Sequence, residues 1–252
     1  MSKGKFLFAA AIIFILWYLL ALLFRTPFLP YPHSVFLALP ESVGKGLGGH
    51  FLISLYRILI SLLASVITAV PLGLFLGRKR RMDDLISPMV YLLYPIPKIV
   101  FLPLILLVLG LGDLSKIFIL SVILFFQVLV TTRDASKSID EEQILSVLSL
   151  GASSRQIFVH AILPACLPKI LTALRISIGT SIAVLFFVES FATNSGLGYY
   201  ILDAWSTLDY LGMYTGILMM GVLGVLLYEG VETIEKRYCH WMFNLSTDVG
   251  QM

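Results

Sequence analysis

Charge is scarce in this chain. Asp, Glu, Lys and Arg make up 13% of its 252 residues, apolar residues reach 58%, and mean hydropathy is +0.94. Soluble domains carry roughly 25% charge and about 45–50% apolar residues, so a soluble globular protein is excluded and an integral membrane protein expected. Cysteine is nearly absent: Cys166 and Cys239 are the only two, which leaves no disulfide framework and no metal-ligand cluster. The four histidines, His33, His50, His160 and His240, fall between or beyond the long apolar runs and are expected in loops or tails. No Ser–His pair is then available at membrane depth for hydrolysis, and no H-E-x-x-H occurs to hold a catalytic metal. The glycine-rich patch at 44–49 contains Lys45 but lacks the G-x-x-x-x-G-K-[ST] order that cradles phosphates. The chain is therefore read as having no catalytic, metal or nucleotide site of its own. Internal repeats, low-complexity stretches and soluble linkers are missing too.

Six apolar runs approach the roughly 20 residues a membrane helix needs: 6–24, 51–77, 85–109, 115–132, 170–188 and 211–228. Lys3 and Lys5 before the first give it the look of a signal peptide, but no small-residue cleavage site follows, so it is kept as a span. Six spans put both termini on one side of the bilayer. With that side cytoplasmic, Lys3, Lys5, Arg78, Lys79, Arg80, Arg81, Arg133, Lys137, Arg155, Lys169, Lys236 and Arg237 are inside, against Arg25, Lys45 and Lys116 outside. Twelve to three decides the orientation. The same rule accounts for the 78–81 run without a nucleic-acid partner. Aromatic residues at span ends, such as Trp17, Tyr18, Tyr199, Tyr200, Trp205 and Trp241, read as interfacial anchors.

Among the charged residues within or at the ends of spans, Arg175 included, four call for an account, because charge costs about 2.5–3.5 kcal/mol at the centre. Arg57 either snorkels to the headgroups or serves the path. Lys98 sits in the third span, where Pro95, Pro97 and Pro103 predict a kink or break; freed carbonyls there must meet protein or water, so Lys98 is expected to face a pore or a buried partner. Glu189 is a gate carboxylate or one held by local backbone donors. Glu229, beside Glu232 and Glu235, is read as solvated. Arg57, Lys98 and Glu189 are the candidates for a translocation path.

The most informative stretch is 139–175. Asp140 suits an N-cap, and Glu141 and Glu142 place negative charge in the first helical turn. Ile144, Val147 and Leu148 share a face, and Gly151 supplies a left-handed stop. Ser153 and Gln156 form a capping box for a second short helix, whose face of Ile157, Ala161 and Ile162 runs until Pro164 and Pro168 interrupt it. A helical elbow at about 139–165 results, the only substantial cytoplasmic structure.

The elbow is similar to the cytoplasmic "EAA" loop of bacterial binding-protein-dependent ABC importer permeases, in LGAS at 150–153, Gln156, Phe158, Leu163-Pro164, Pro168 and Leu174-Arg175. Where that family carries Glu-Ala-Ala, this chain has Leu145-Ser146-Val147. Its nitrate, sulfonate and taurine branch is resembled by SLYR at 54–57, the proline-rich span and G-x-G-x-x-x-K loop within 94–118, and the Gly-Leu-Gly turn within 189–203 that opens a short helix. The resemblance implies an all-α, type I importer permease of six spans, a single domain over 1–252, and a homodimer in a bacterial inner membrane. It implies a cytoplasmic ATP-binding subunit, holding ATP and Mg, docked on Leu150, Gly151, Ala152, Ser153 and Gln156, and an extracytoplasmic solute-binding protein. The implied cargo is a small solute, an anion such as nitrate, sulfonate, taurine or bicarbonate, with thiamine-precursor import as the other branch member. An ion-coupled secondary transporter or channel is the alternative class; it requires buried carboxylate relays and does not explain the elbow.

Overall fold

The structure, a computed structural model, describes residues 3–191 and 193–241, with residues 3 and 5–7 as backbone alone. The side chains of Lys3 and Lys5 and the C-terminus, all assigned to the inside above, lie outside the described residues.

The described chain is helical. Helix α1, Lys3–Phe24, has 22 residues and at 1.5 Å per residue reaches roughly 33 Å, enough for the hydrocarbon core. Helix α2, Pro32–Ser42, opens on a proline at its first turn, where the missing N–H costs nothing. A π-helical stretch, Val43–Leu47, then joins it to α3, Gly48–Arg78. Gly46, at φ +115°, takes the bend, so the glycine patch is a kinked helix and not a linker. Helices α4, Arg80–Leu93, and α5, Leu102–Leu109, are separated by Tyr94, Pro95, Ile96, Pro97 and a 3₁₀ turn at Lys98–Phe101. The two limbs meet at 75°, so the expected break is present. Pro103 takes no part in it: it lies at the start of α5, where it opens a helix instead of interrupting one.

Helix α6, Asp113–Lys137, α7, Glu141–Ser149, and α8, Ser154–Ile157, follow. A π-helical stretch, Phe158–Ile162, carries α8 into α9, Leu163–Ser190. The sequence reading ended a short helix at Pro164 and Pro168; instead Ser154–Ser190 is a single apolar stretch of 37 residues. Leu163 N–H bonds the Phe158 carbonyl, one residue further back than in an α-helix. This wider turn makes room for the Pro164 ring without a break. Helices α10, Leu197–Ser206, and α11, Tyr210–Tyr238, complete the chain. Helicity also corrects the placing of histidines in loops: His33 lies in α2, His50 in α3 and His160 in the π-helical stretch before α9.

Four stretches, Pro32–Arg78, Asp113–Lys137, Ser154–Ser190 and Tyr210–Tyr238, are long and apolar enough to cross a membrane, and the bent α4–α5 pair makes a fifth. Phe8–Phe24 belongs to the shorter apolar helices. All six expected spans thus have a helical counterpart.

Contacts group into two compact units, residues 1–56 with 186–223 and residues 57–185 with 224–252. In the first, Trp17 stacks on Tyr214 with ring centres 5.6 Å apart, and Ser54 anchors the start of α10. In the second, α6 is the centre. Ile119, Leu120, Leu124, Val128 and Leu129 are buried along it. Gly73 and Gly77 of α3 meet its backbone so closely that a Cβ on Gly77 would stand 2.6 Å from the Arg133 carbonyl oxygen and 2.6 Å from the Ser136 Cβ. Two glycines four apart let helices approach in this way when lipid supplies no hydrophobic drive. The Ser136 hydroxyl donates to the Leu74 carbonyl at 3.1 Å across the same seam.

Candidate coupling elbow and substrate path

The elbow is built by local rules. Asp140 is extended at the N-cap of α7, with φ −63° and ψ 136°, and Glu141 and Glu142 face the positive end of the helix dipole. Gly151 ends the turn at φ +82°. A Cβ there would touch nothing within 4 Å, so conformation and not space calls for glycine. The capping box is formed: Gln156 N–H donates to Ser153 Oγ at 3.4 Å, and Ser153 N–H to Gln156 Oε1 at 2.8 Å. Ile157 and Ile162 bury themselves and fix the second limb. No residue of α7 is fully buried, and Ile144 and Val147 are half-buried. Leu145, Leu148 and Leu150 are exposed, Leu150 at 87%, leaving an apolar surface that no element among the described residues covers. Of the five coupling candidates, Leu150, Gly151, Ser153 and Gln156 are exposed and Ala152 is half-buried. Ser153 and Gln156 are occupied with each other, so their part is to shape the elbow.

The two remaining acidic and basic path candidates close on partners inside the chain. Arg57 is 1% exposed and gives Nε and a terminal N–H to Asp113 Oδ1 at 2.8 and 2.6 Å. It does not snorkel, because the half-exposed carboxylate of Asp113 comes to it from the first turn of α6. Glu189, fully buried, accepts from the Ser54 hydroxyl at 2.7 Å and from Gly198 N–H at 3.0 Å, while Leu197 N–H donates to Ser54 Oγ at 2.8 Å. The carboxylate therefore caps the N-terminus of α10, where unpaired N–H groups and the dipole favour an anion. Gly196, at φ +105°, packs against it: a Cβ there would stand 2.3 Å from the Glu189 carboxyl carbon. Glu229 is exposed, as read.

Lys98 is different. Its ammonium donates to the Tyr94 carbonyl at 2.6 Å, across the proline break, and lies 4.4 Å from the Phe126 ring centre. It lines a cavity of about 270 Å³ with Tyr94, Ile123, Phe126, Gln127 and Val184. A second cavity, of about 510 Å³, shares Tyr94 and Gln127 with the first and continues along Val130, Thr131, Asp134, Lys169, Thr172, Ile176 and Ser177. Ile123, Phe126, Gln127, Val130, Thr131 and Asp134 are spaced three and four apart, so one face of α6 lines both cavities. Lys169, Thr172, Ala173, Ile176 and Ser177 give the matching face of α9.

Several of these groups escaped sequence reasoning. Gln127, a lone amide within an apolar helix, carried a signal. Asp113, opposite Arg57, and Asp83, opposite Arg133, carried none, since each pair is 50 or more positions apart.

Residues 69–238 match the model of the family described as binding-protein-dependent transport system inner membrane component. The chain is 32% identical over 238 residues to a putative ABC transporter permease protein of Methanocaldococcus jannaschii, covering 92% of this chain and 89% of that one. It is 30% identical over 239 residues to the taurine transport system permease protein of Escherichia coli, covering 92% and 87%. In fold it is similar to a chain of the inward-facing MetNI methionine ABC transporter, with a TM-score of 0.66 at 19% identity over 79% of this chain and 98% of that one.

Proposed function

This chain belongs to the family of binding-protein-dependent transport system inner membrane components, and from that we propose how it is driven and what it carries. It is a multi-pass membrane permease of an ABC importer. In our reading ATP and Mg are held by a separate cytoplasmic subunit, and the present chain contributes no catalytic group. A machine of this kind receives free energy through contact alone. The exposed leucines of the glycine-hinged elbow are the observation that carries this reading: Leu145, Leu148 and Leu150 offer the ATPase an apolar seat, with Gly151, Ala152, Ser153 and Gln156 setting its angle. Dimerisation of the ATPase would move the elbow and alternate access to the path.

The path is lined by the shared face of α6 and α9, with Lys98 at its proline-broken end. It supports a small anionic cargo of the sulfonate or nitrate class, in keeping with the taurine permease it resembles. A solute-binding protein delivers the cargo outside, and a second copy of the chain completes the pore. Both termini are cytoplasmic, in the inner membrane of a bacterium.

Purification from the native membrane tests the drive. Co-isolation of an ATPase that is lost in Leu148→Ser/Leu150→Ser, with uptake lost in parallel, supports the reading. Proton- or sodium-driven flux in liposomes holding this chain alone would replace it with the secondary-transporter class.

A further inference from the structure

We propose that Lys98, Tyr94, Phe126 and Gln127 form a solute site within the permease itself, for a small organic anion that also carries an N–H donor. The inference rests on the permease reading for the ligand's route, but its chemistry is that of the cavity.

Three observations converge. The first is a cation without an anion. Arg57, Arg133 and Arg175 each meet a carboxylate, whereas among the described residues no carboxylate pairs with Lys98. An ammonium has three donors, and the Tyr94 carbonyl takes one. The Phe126 and Tyr94 rings, at 4.4 and 5.4 Å, hold the charge by their π faces without neutralising it. Two donors and a full positive charge stay available to the cavity.

The second is an amide half used. Gln127 Nε2 donates to Thr180 Oγ1 at 3.5 Å, while Gln127 Oε1, itself buried, has no partner among the described residues. A buried amide oxygen left bare is costly and calls for a donor. An inorganic anion would satisfy Lys98 and leave Gln127 bare; an organic cation would satisfy Gln127 and be repelled by Lys98. A molecule with an anionic head and an N–H group answers both.

The third is size. The cavity of about 270 Å³ falls just below the roughly 300–1,000 Å³ of sites for drug-sized ligands, which suits a solute of few heavy atoms. Its junction with the larger cavity at Tyr94 and Gln127 gives the solute somewhere to go.

The test uses the full chain in lipid nanodiscs, without a solute-binding protein, titrated calorimetrically with 2-aminoethanesulfonate, methanesulfonate and ethylammonium. The first should bind, the second should bind roughly tenfold more weakly for want of the charged hydrogen bond, and the third should not bind. Lys98→Met should lose both sulfonates and Lys98→Arg retain them; Gln127→Leu should bind the two sulfonates alike. Equal binding of 2-aminoethanesulfonate by wild type and Lys98→Met, absence of binding by the wild type, or preference for ethylammonium would each overturn the site. ATP-driven uptake in vesicles with the co-isolated ATPase is scored separately. Uptake without nanodisc binding sinks the site and spares the permease reading, and binding without any uptake does the reverse.

Discussion

Replacing Arg133 with methionine should cost the protein about 3 kcal/mol of stability, the low end of the roughly 3–5 kcal/mol for breaking a buried ion pair from one side. The Asp83 side chain is 3% exposed and the Arg133 side chain 12%. Arg133 gives Nε to Asp83 Oδ1 at 2.5 Å and a terminal N–H to Oδ2 at 2.6 Å. Methionine keeps most of the apolar stem, so the loss is charge and not packing. The low end applies because two other donors stay on the Asp83 carboxylate, Lys137 at 2.9 Å and Ser87 at 2.5 Å. At roughly 2–4 °C per kcal/mol for a domain of this size, the melting temperature should fall by about 6–12 °C. Removing that charge as well, in Asp83→Asn/Arg133→Met, should recover part of that fall, because the penalty lies in a buried anion left with Lys137 as its remaining counter-charge. Thermal unfolding of the detergent-solubilised chain, followed by circular dichroism, measures Arg133→Met, Asp83→Asn and the double variant. A single mutant that melts with the wild type, or a double mutant that falls by the sum of the two singles, would refute the account of Asp83 and Arg133 as a coupled buried pair.

Gly77→Ala forces a Cβ to 2.6 Å from the α6 backbone and should cost about 1–3 kcal/mol by overpacking, whereas Gly49→Ala, with nothing within 4 Å, should be close to silent in the same melting assay. Gly151→Pro cannot adopt φ +82°; it should abolish ATP-driven uptake while the chain stays inserted, and normal uptake would disprove the hinge. Glu189→Ala strips the Gly198 N–H and the Ser54 hydroxyl of a buried acceptor and should destabilise by about 1–3 kcal/mol, read as faster amide exchange at the start of α10; unchanged protection there would argue against the cap. Cysteines placed at 155 and 203 report orientation: membrane-impermeant reagent added to intact cells should label position 203 and not 155, and the opposite pattern would reverse the topology.

The elbow was legible because its determinants are local. Gly151 and the Ser153–Gln156 box act over three or four residues and took the roles their types announce, while Asp140 holds the N-cap position of α7 without a side-chain capping hydrogen bond. The proline-broken third span was legible for the same reason. The Pro164 region was not, because a π-helical turn lets a proline into a continuous helix and no residue type signals that turn. The path candidates divide along the same line. Lys98 is held by Tyr94, four residues away, whereas the surroundings of Arg57 and Glu189 come from Asp113 and Ser54, whose proximity is a product of helix packing. Polarity within an apolar run flagged that these side chains needed partners; only the packed helices supplied their names.

The joint between α6 and α7 is three residues, Ser138, Ile139 and Asp140, and it is tied on both flanks: Lys169 donates to the Ser138 hydroxyl at 2.7 Å, and Arg78 reaches the Ile139 and Ser136 carbonyls at 3.5 Å. Such a joint has no slack to absorb a displacement. On the reading proposed above, a displacement of α7 would be passed to α6, one face of which lines both cavities. Were the elbow and the cavity so coupled, reciprocity in free energy would require solute held at Lys98 and Gln127 to change the affinity of the ATPase for the elbow by the same factor that the ATPase changes the affinity for solute.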